Sequence, residues 1–308
     1  MHIGLSSPAQ AAYPEADLDA ALVARVAEEL GFEALFYGEH PVTPAGEAGF
    51  GPYAAVPYFQ DTLVALARAS GATTRLTLGS GVFLLPLHQP VMFAKQLASL
   101  DFYSGGRLVV GAGFGWSRGE CQAMGVDFER RFASGLEAIR VMKALWTQDA
   151  VEFRGEFFDV PPITIFPKPA QTGGPPILLP GGPLNFHEPW DSPKLVPRFR
   201  RIVNYADGWI PAMMGAEEIR NGPQRLAEGR RLLAQLCAEV GRNVDELQTT
   251  AHLRTETGQE DDFPQLPDRD TLRRYEDLGV ERALVKPPTL RDEAHAREVL
   301  ARMAEAVL

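Results

Sequence analysis

The sequence predicts an α/β fold: a single (β/α)8 TIM barrel over residues 1–308. Three observations carry that prediction. Short apolar runs alternate with helical patterns, the mark of parallel βα units. Eight such runs recur at a mean spacing of about 38 residues, which suits one barrel with insertions. Glycines gather where several of the runs end, and that is the face on which barrels build their sites.

In order, His2–Leu5 is the first apolar run. Asp17–Leu30 places Leu18, Ala21, Leu22, Val26 and Leu30 at helical period and stops at Gly31. Ala34–Tyr37 is the second strand and ends in Gly38-Glu39-His40. Phe59–Ala72 reads as a helix and Leu76–Leu85 as the third strand. Pro90–Phe102 is a helix with proline near its start, followed by the fourth strand, Leu108–Gly111. After a helix over Ala133–Trp146, the alternation in Val151–Phe166 reads as a hairpin inserted beside the barrel. A proline-rich connector, Phe166–Pro176, leads to the fifth strand, Ile177–Leu179. Gly208–Pro211, Leu247–Leu253 and Ala283–Lys286 complete the eight, with helices over Gln224–Val240, Asp270–Leu278 and Arg291–Val307. Insertions are expected around 150–166 and 183–201.

Composition bounds the function. A net charge of −10 argues against nucleic acid as a partner. Apolar runs stay short of the ~18 residues that a membrane span needs, so no membrane partner is expected. The start, MHIGLSSPAQ, lacks the pattern of a signal peptide. Two cysteines, Cys121 and Cys237, have neither metal spacing nor the density of a disulfide framework. His88, His187, His252 and His295 show no pairing that implies a metal. The expectation is a cytoplasmic protein without a metal, acting on a small molecule, with a homodimer possible.

The most informative stretch is LASLDFYSGGRLVVGAGFGW, Leu97–Trp116. A helix ends at Ser-Gly-Gly, a strand follows, and the strand enters a glycine-dense turn. Glycine lets backbone N–H groups approach a ligand, and successive N–H groups form a nest for phosphate. The spacing G-x-G-x-G at Gly111, Gly113 and Gly115 departs from the dinucleotide fingerprint G-x-G-x-x-G. A tight turn without a ligand is the other reading.

This stretch closely resembles the central motif of the luciferase-like flavin-dependent oxidoreductases, which include bacterial luciferase and deazaflavin (F420) enzymes. LGFEALFYGEH, GVDFERR, PPILLPGG and YADGWIP also match. The resemblance implies a flavin-type cofactor, F420 in preference to FMN, and an organic small-molecule substrate. A reduced FMN ring would activate dioxygen for monooxygenation, whereas F420 would transfer hydride. The preference for F420 comes from Pro183 after Gly181-Gly182, where many FMN members carry a serine or threonine.

By the same resemblance His40 lies beside the ring, and imidazole exchanges protons near neutral pH. A histidine satisfied by backbone at a strand end is the alternative. The expected cofactor-binding set is Ser80, Gly81, Val82, Gly113, Phe114, Gly115, Trp116, Gly181 and Gly182. The family carries a non-proline cis peptide in a bulge, which falls at Gly81-Val82; a simple strand bend is the other reading of those glycines. Trp116 stands where F420-dependent sugar-phosphate dehydrogenases carry a glutamate acid. An indole cannot protonate a substrate, so Trp116 is either an apolar wall or a surface tryptophan. Glu39 is expected to orient a neighbour, and Arg118 is a candidate anion ligand or a solvated loop residue. The segment Pro183–Arg201 looks longer than the family's. Two other functions remain: a non-catalytic flavin-binding barrel, and an aldolase using Lys286 as a Schiff-base amine.

Overall fold

A computed structural model describes residues 1–6, 18–44, 59–182, 192–214, 216–254 and 263–308. The chain runs β1 (His2–Ser6), α1 (Ala20–Glu29), β2 (Ala34–Tyr37), α2 (Thr62–Ala72), β3 (Thr77–Ser80), β4 (Phe83–Leu84), α3 (Pro90–Ser104) and β5 (Leu108–Gly113). It continues through α4 (Arg118–Ala123), α5 (Arg131–Thr147), the hairpin β6 (Val151–Arg154) and β7 (Asp159–Ile163), β8 (Ile177–Pro180) and α6 (Leu195–Tyr205). The last part is β9 (Gly208–Ile210), β10 (Ala212–Met214), α7 (Ala216–Glu239), β11 (Gln248–Arg254), α8 (Arg269–Glu276), β12 (Arg282–Val285) and α9 (Glu293–Val307).

The barrel order is β1-β2-β3-β5-β8-β9-β11-β12, every neighbouring pair is parallel, and β12 returns to β1. That closes a (β/α)8 barrel. All eight expected strands are present. The register Gly4↔Ala34 and Leu5↔Leu35 sets the alternation between barrel interior and helix layer. Ala34 and Phe36 point inward with Val109, Leu178, Ile210 and Leu284, while Leu35 and Tyr37 face the helices. The interior is crowded. A Cβ at Gly79 would stand 2.3 Å from Phe36 Cζ, so glycine there is what admits the phenyl ring.

Four boundaries differ from the sequence reading. β5 extends to Gly113, so Gly111 and Gly113 are strand residues, and the turn starts at Phe114. Both glycines meet neighbours at close range: a Cβ at Gly111 would reach Ser80 O at 1.9 Å and one at Gly113 would reach Val82 Cγ2 at 2.5 Å. Strand pairing and the approach of β3 therefore account for them. α7 begins before Pro223 and carries it inside, where proline reads as a start signal. α1 begins at Ala20 with Asp19 capping it; Asp17 lies outside the described residues. Finally, the crossover helix between β8 and β9, Leu195–Tyr205, begins within the 183–201 segment. Pro183 and residues 184–191 lie outside the described residues.

The hairpin forms as expected, antiparallel and outside the barrel. Glu137 on α5 holds its turn by accepting from the N–H groups of Glu156, Phe157 and Phe158 at 3.0, 2.9 and 2.8 Å. No helix among the described residues is long and apolar enough to cross a membrane.

At the amino end of the strands, Arg107 is completed by the chain. Its five N–H groups reach Ser104 O, Thr73 Oγ1, Leu76 O, Ser70 O and Thr73 O, all within 3.1 Å. A cleft of about 440 Å³ also opens on the outer helices, between α5 and the chain entering β9. It is chemically closed, with Lys143 paired to Asp207 at 2.8 Å and Arg242 bonded to Val203 O and Ala206 O.

Candidate active site

His40 leaves β2 at the carboxyl end of the barrel. Its Nδ1 lies 3.0 Å from both carboxylate oxygens of Glu120. Glu120 is 1% exposed and the imidazole 17%. Sequence around Glu120 explains its placement: Ser117-Arg-Gly-Glu120 is the S-x-x-E pattern of a helix start, and Ser117 Oγ accepts from Glu120 N–H at 3.0 Å. The short helix α4 therefore aims Glu120 at His40. Phe59 and Trp116 flank the imidazole edge-on, with centroids at 4.8 and 5.8 Å. Trp116 thus contributes an apolar wall beside His40 while staying 46% exposed.

The next residue back, Glu39, makes a second couple. Its carboxylate accepts from Leu84 N–H at 2.6 Å and from His88 Nε2 at 3.0 Å. His88 stacks on Phe93 with centroids 3.9 Å apart. Glu39 therefore orients a neighbour, as expected, and fastens β4 to the loop that carries His40. Between β3 and β4 the Gly81–Val82 peptide is cis, at the position the resemblance gave. Gly81 N–H donates to Tyr37 O at 2.7 Å, and a Cβ there would meet His252 Cε1 at 2.4 Å. Ser80 is fully buried and its hydroxyl donates to Gly111 O at 2.7 Å.

The glycines from which the sequence reading builds a phosphate seat have unlike surroundings. Gly113 lies in β5 and touches Val82. Phe114 turns its ring onto α5, 5.0 Å from Phe132 and over Gly135. Gly115 alone of the three has a left-handed φ, +75°, and open space where a Cβ would be. Gly181 N–H is bonded to Ile210 O at 3.3 Å and its carbonyl accepts from Trp209 Nε1 at 2.8 Å. Gly182 has φ +142° and its carbonyl accepts from Arg198 at 3.0 Å. Among these turn glycines, Gly181 commits its N–H to the barrel.

Arginine side chains stand beside the Gly115 and Gly182 turns. Arg131 donates to Gly115 O at 2.9 Å and Phe128 O at 2.6 Å. Arg131 and Arg201 both lie on the Phe132 ring, 4.4 and 4.2 Å from its centroid. Burial pushes both guanidinium pKa values down, and for Arg201 the nearby charges of Arg198 and Arg131 act the same way. Arg118, by contrast, is exposed, paired to Glu129 at 2.5 Å and set over Phe128. It is the first residue of α4 and has an acidic partner on the surface. Among the described residues no cluster of histidine, cysteine and carboxylate side chains could hold a metal.

Glu120, Arg131, Arg198 and Arg201 were not singled out as ligands by sequence reasoning. The signals were present in part: the capping box at Ser117, and Arg198 and Arg201 three apart on one helix.

A barrel with a histidine–carboxylate couple, a cis bulge and glycine turns on its carboxyl face has the architecture of a cofactor-dependent enzyme. The chain belongs to the luciferase-like monooxygenase family, whose profile matches residues 1–307. The uncharacterized protein Rv0953c of Mycobacterium tuberculosis is 32% identical over 276 residues, 87% of this chain and 86% of that protein. An F420-dependent glucose-6-phosphate dehydrogenase of Intrasporangium calvum is 32% identical over 165 residues, 51% of this chain and 46% of that protein. An FMNH(2)-dependent dimethylsulfone monooxygenase of Pseudomonas putida is 39% identical over 95 residues, 30% of this chain and 26% of that one. The same fold occurs in monooxygenase RslO1 of Streptomyces bottropensis, with TM-score 0.75 and 19% identity, covering 99% of this chain and 98% of that one.

Proposed function

We propose that the protein is an F420- or FMN-dependent oxidoreductase of an organic small molecule, with F420 the favoured cofactor. The observation that carries this is the His40–Glu120 couple, held beside Trp116 on the barrel face where the Gly81–Val82 bulge and the Gly115 and Gly182 turns also lie. The open Cβ position at Gly115 and the guanidiniums of Arg131 and Arg201 on the nearby Phe132 ring fit a group with a planar ring and an anionic arm. When bound, such a ring supplies hydride, or with FMN the activation of dioxygen.

Glu120 fixes the imidazole through Nδ1, and the couple exchanges a proton with the reacting centre. The buried carboxylate also stabilises the imidazolium that forms when His40 takes a proton. Trp116 and Phe59 pack against the imidazole and limit its contact with water. With Trp116 in place of the glutamate acid, sugar phosphate oxidation is disfavoured. F420 is favoured by the Gly-Gly-Pro sequence at 181–183. Exposed Val64, Met92, Phe102 and Tyr103 on the neighbouring helices α2 and α3 support a homodimer, and the buried free thiols of Cys121 and Cys237 suit a reducing cytoplasm.

The test is a visible absorption titration of the purified protein with FMN and with F420 separately. Saturable spectral change with one of them, F420 being expected, supports the reading. A folded protein that perturbs neither spectrum overturns it.

A further inference from the structure

Two half-buried arginines in this fold have opposite surroundings. Arg107 has all five N–H groups bonded to the chain. Arg201 makes no hydrogen bond or ion pair with the described residues; its contacts are the faces of Phe132 at 4.2 Å and Phe114 at 6.0 Å. A guanidinium withdrawn from water with its donors unfilled is costly unless something else fills them. Arg131 stands on the same Phe132 ring and donates to the neutral carbonyls of Gly115 and Phe128. Arg198 reaches Gly182 O from one turn earlier on α6. Like charges are thereby gathered between the Gly115 and Gly182 turns, and for Arg201 the neighbouring guanidiniums add to the effect of burial.

We infer that Arg131, Arg198 and Arg201 form the seat of a phosphate ester, the anionic arm of the cofactor, with Arg201 as its principal side-chain ligand. The inference rests on the proposed function. A phosphate supplies what Arg201 lacks among the described residues: an anionic partner with paired oxygens that match the planar fork of its guanidinium. It also explains why Gly181 N–H and Gly113 can be committed to the barrel. Side-chain cations on α5 and α6 replace the backbone nest that the glycine pattern suggested. The Phe132 ring orients Arg131 and Arg201 by stacking, which leaves their edges for oxygen.

The experiment compares ligands with and without the phosphate arm: FMN against riboflavin, and F420 against its deazaflavin ring lacking that arm. Dissociation constants are read by fluorescence for the wild type, Arg201→Met and Arg201→Lys. The wild type is expected to prefer the phosphorylated ligand, and Arg201→Met to lose about tenfold to hundredfold of that affinity, the size of a charge-assisted bond pair. Affinity for the phosphate-free ligand should stay within about twofold, and Arg201→Lys should fall between, since it keeps charge but loses the fork. The FMN and F420 arms separate a compact phosphate monoester from a longer anionic arm. Equal discrimination in wild type and Arg201→Met, with both folded by thermal melting, overturns the phosphate seat alone. Failure of the wild type to bind any of the ligands overturns the functional reading on which it rests.

Discussion

The two ends of this barrel use the same residue types to opposite effect. At the amino end Arg107 donates to four carbonyls and a hydroxyl, Glu28 accepts from Thr74, Arg75 and Leu76, and Lys143 meets Asp207. These polar groups are answered by the chain itself. At the carboxyl end His40 meets Glu120 and Glu39 meets His88, but Arg131 and Arg201 rest on aromatic faces and meet no carboxylate of the described residues at bonding distance. The difference separates stability from binding. Groups satisfied internally hold the fold, whereas groups left with unfilled donors at the strand ends are positioned for a ligand.

The comparison breaks most visibly through His40. His40→Ala is expected to lower kcat by about 10²–10⁴-fold, the range for a positioned acid–base group. Cofactor affinity should stay within a few-fold, because the residue serves the transition state, while the melting temperature should fall as buried Glu120 loses its partner. Stopped-flow and steady-state rates check this; full turnover by the variant removes His40 from the chemistry. Next in size is Arg107→Met, which strands several partly buried carbonyls and should cost about 2–4 kcal/mol in urea unfolding. Arg201→Met should cost less than about 1 kcal/mol by the same measurement, since no hydrogen bond to the described chain is lost. Equal losses for the two arginines would erase the distinction between the ends.

How far the sequence announced all this follows the physics of each feature. The strands were legible because a buried strand is a short apolar run, and β1, β2, β5, β8 and β12 are buried almost throughout. The end of β5 was not: Gly111 and Gly113 look like turn glycines, and only their distances to Ser80 and Val82 show that they serve strand packing. The cis peptide at Gly81–Val82 and the position of His40 came through the resemblance to a family, whereas composition or spacing alone would not have given them. Glu120 and Arg201 were missed because each acts across space, 80 residues from His40 in one case, and pairwise geometry of that range leaves no local pattern.

The smallest expected effect is at the amino end and depends on pH. Burial works against ionisation of Glu28 and is the largest single influence on it, yet the N–H groups of Arg75, Leu76 and Thr74 together outweigh it. Its carboxyl pKa therefore lies below the ordinary glutamate value of 4.5 in the folded protein. A depressed folded pKa means that the unfolded chain takes up the proton first as pH falls. The stabilisation is complete above pH 4.5, shrinks below it, and is gone once pH passes the folded value. Glu28→Gln keeps one acceptor and removes the charge, so at pH 7 it should lose about 1 kcal/mol, the net worth of the weakened bonds. Urea unfolding of both proteins at neutral pH and at several values below 4.5 reads the difference. A gap that narrows with acid shows the ionised carboxylate to be the stabilising species. A gap that stays constant assigns the loss to packing, and Glu28 then ceases to count among the polar groups that the amino end satisfies through charge.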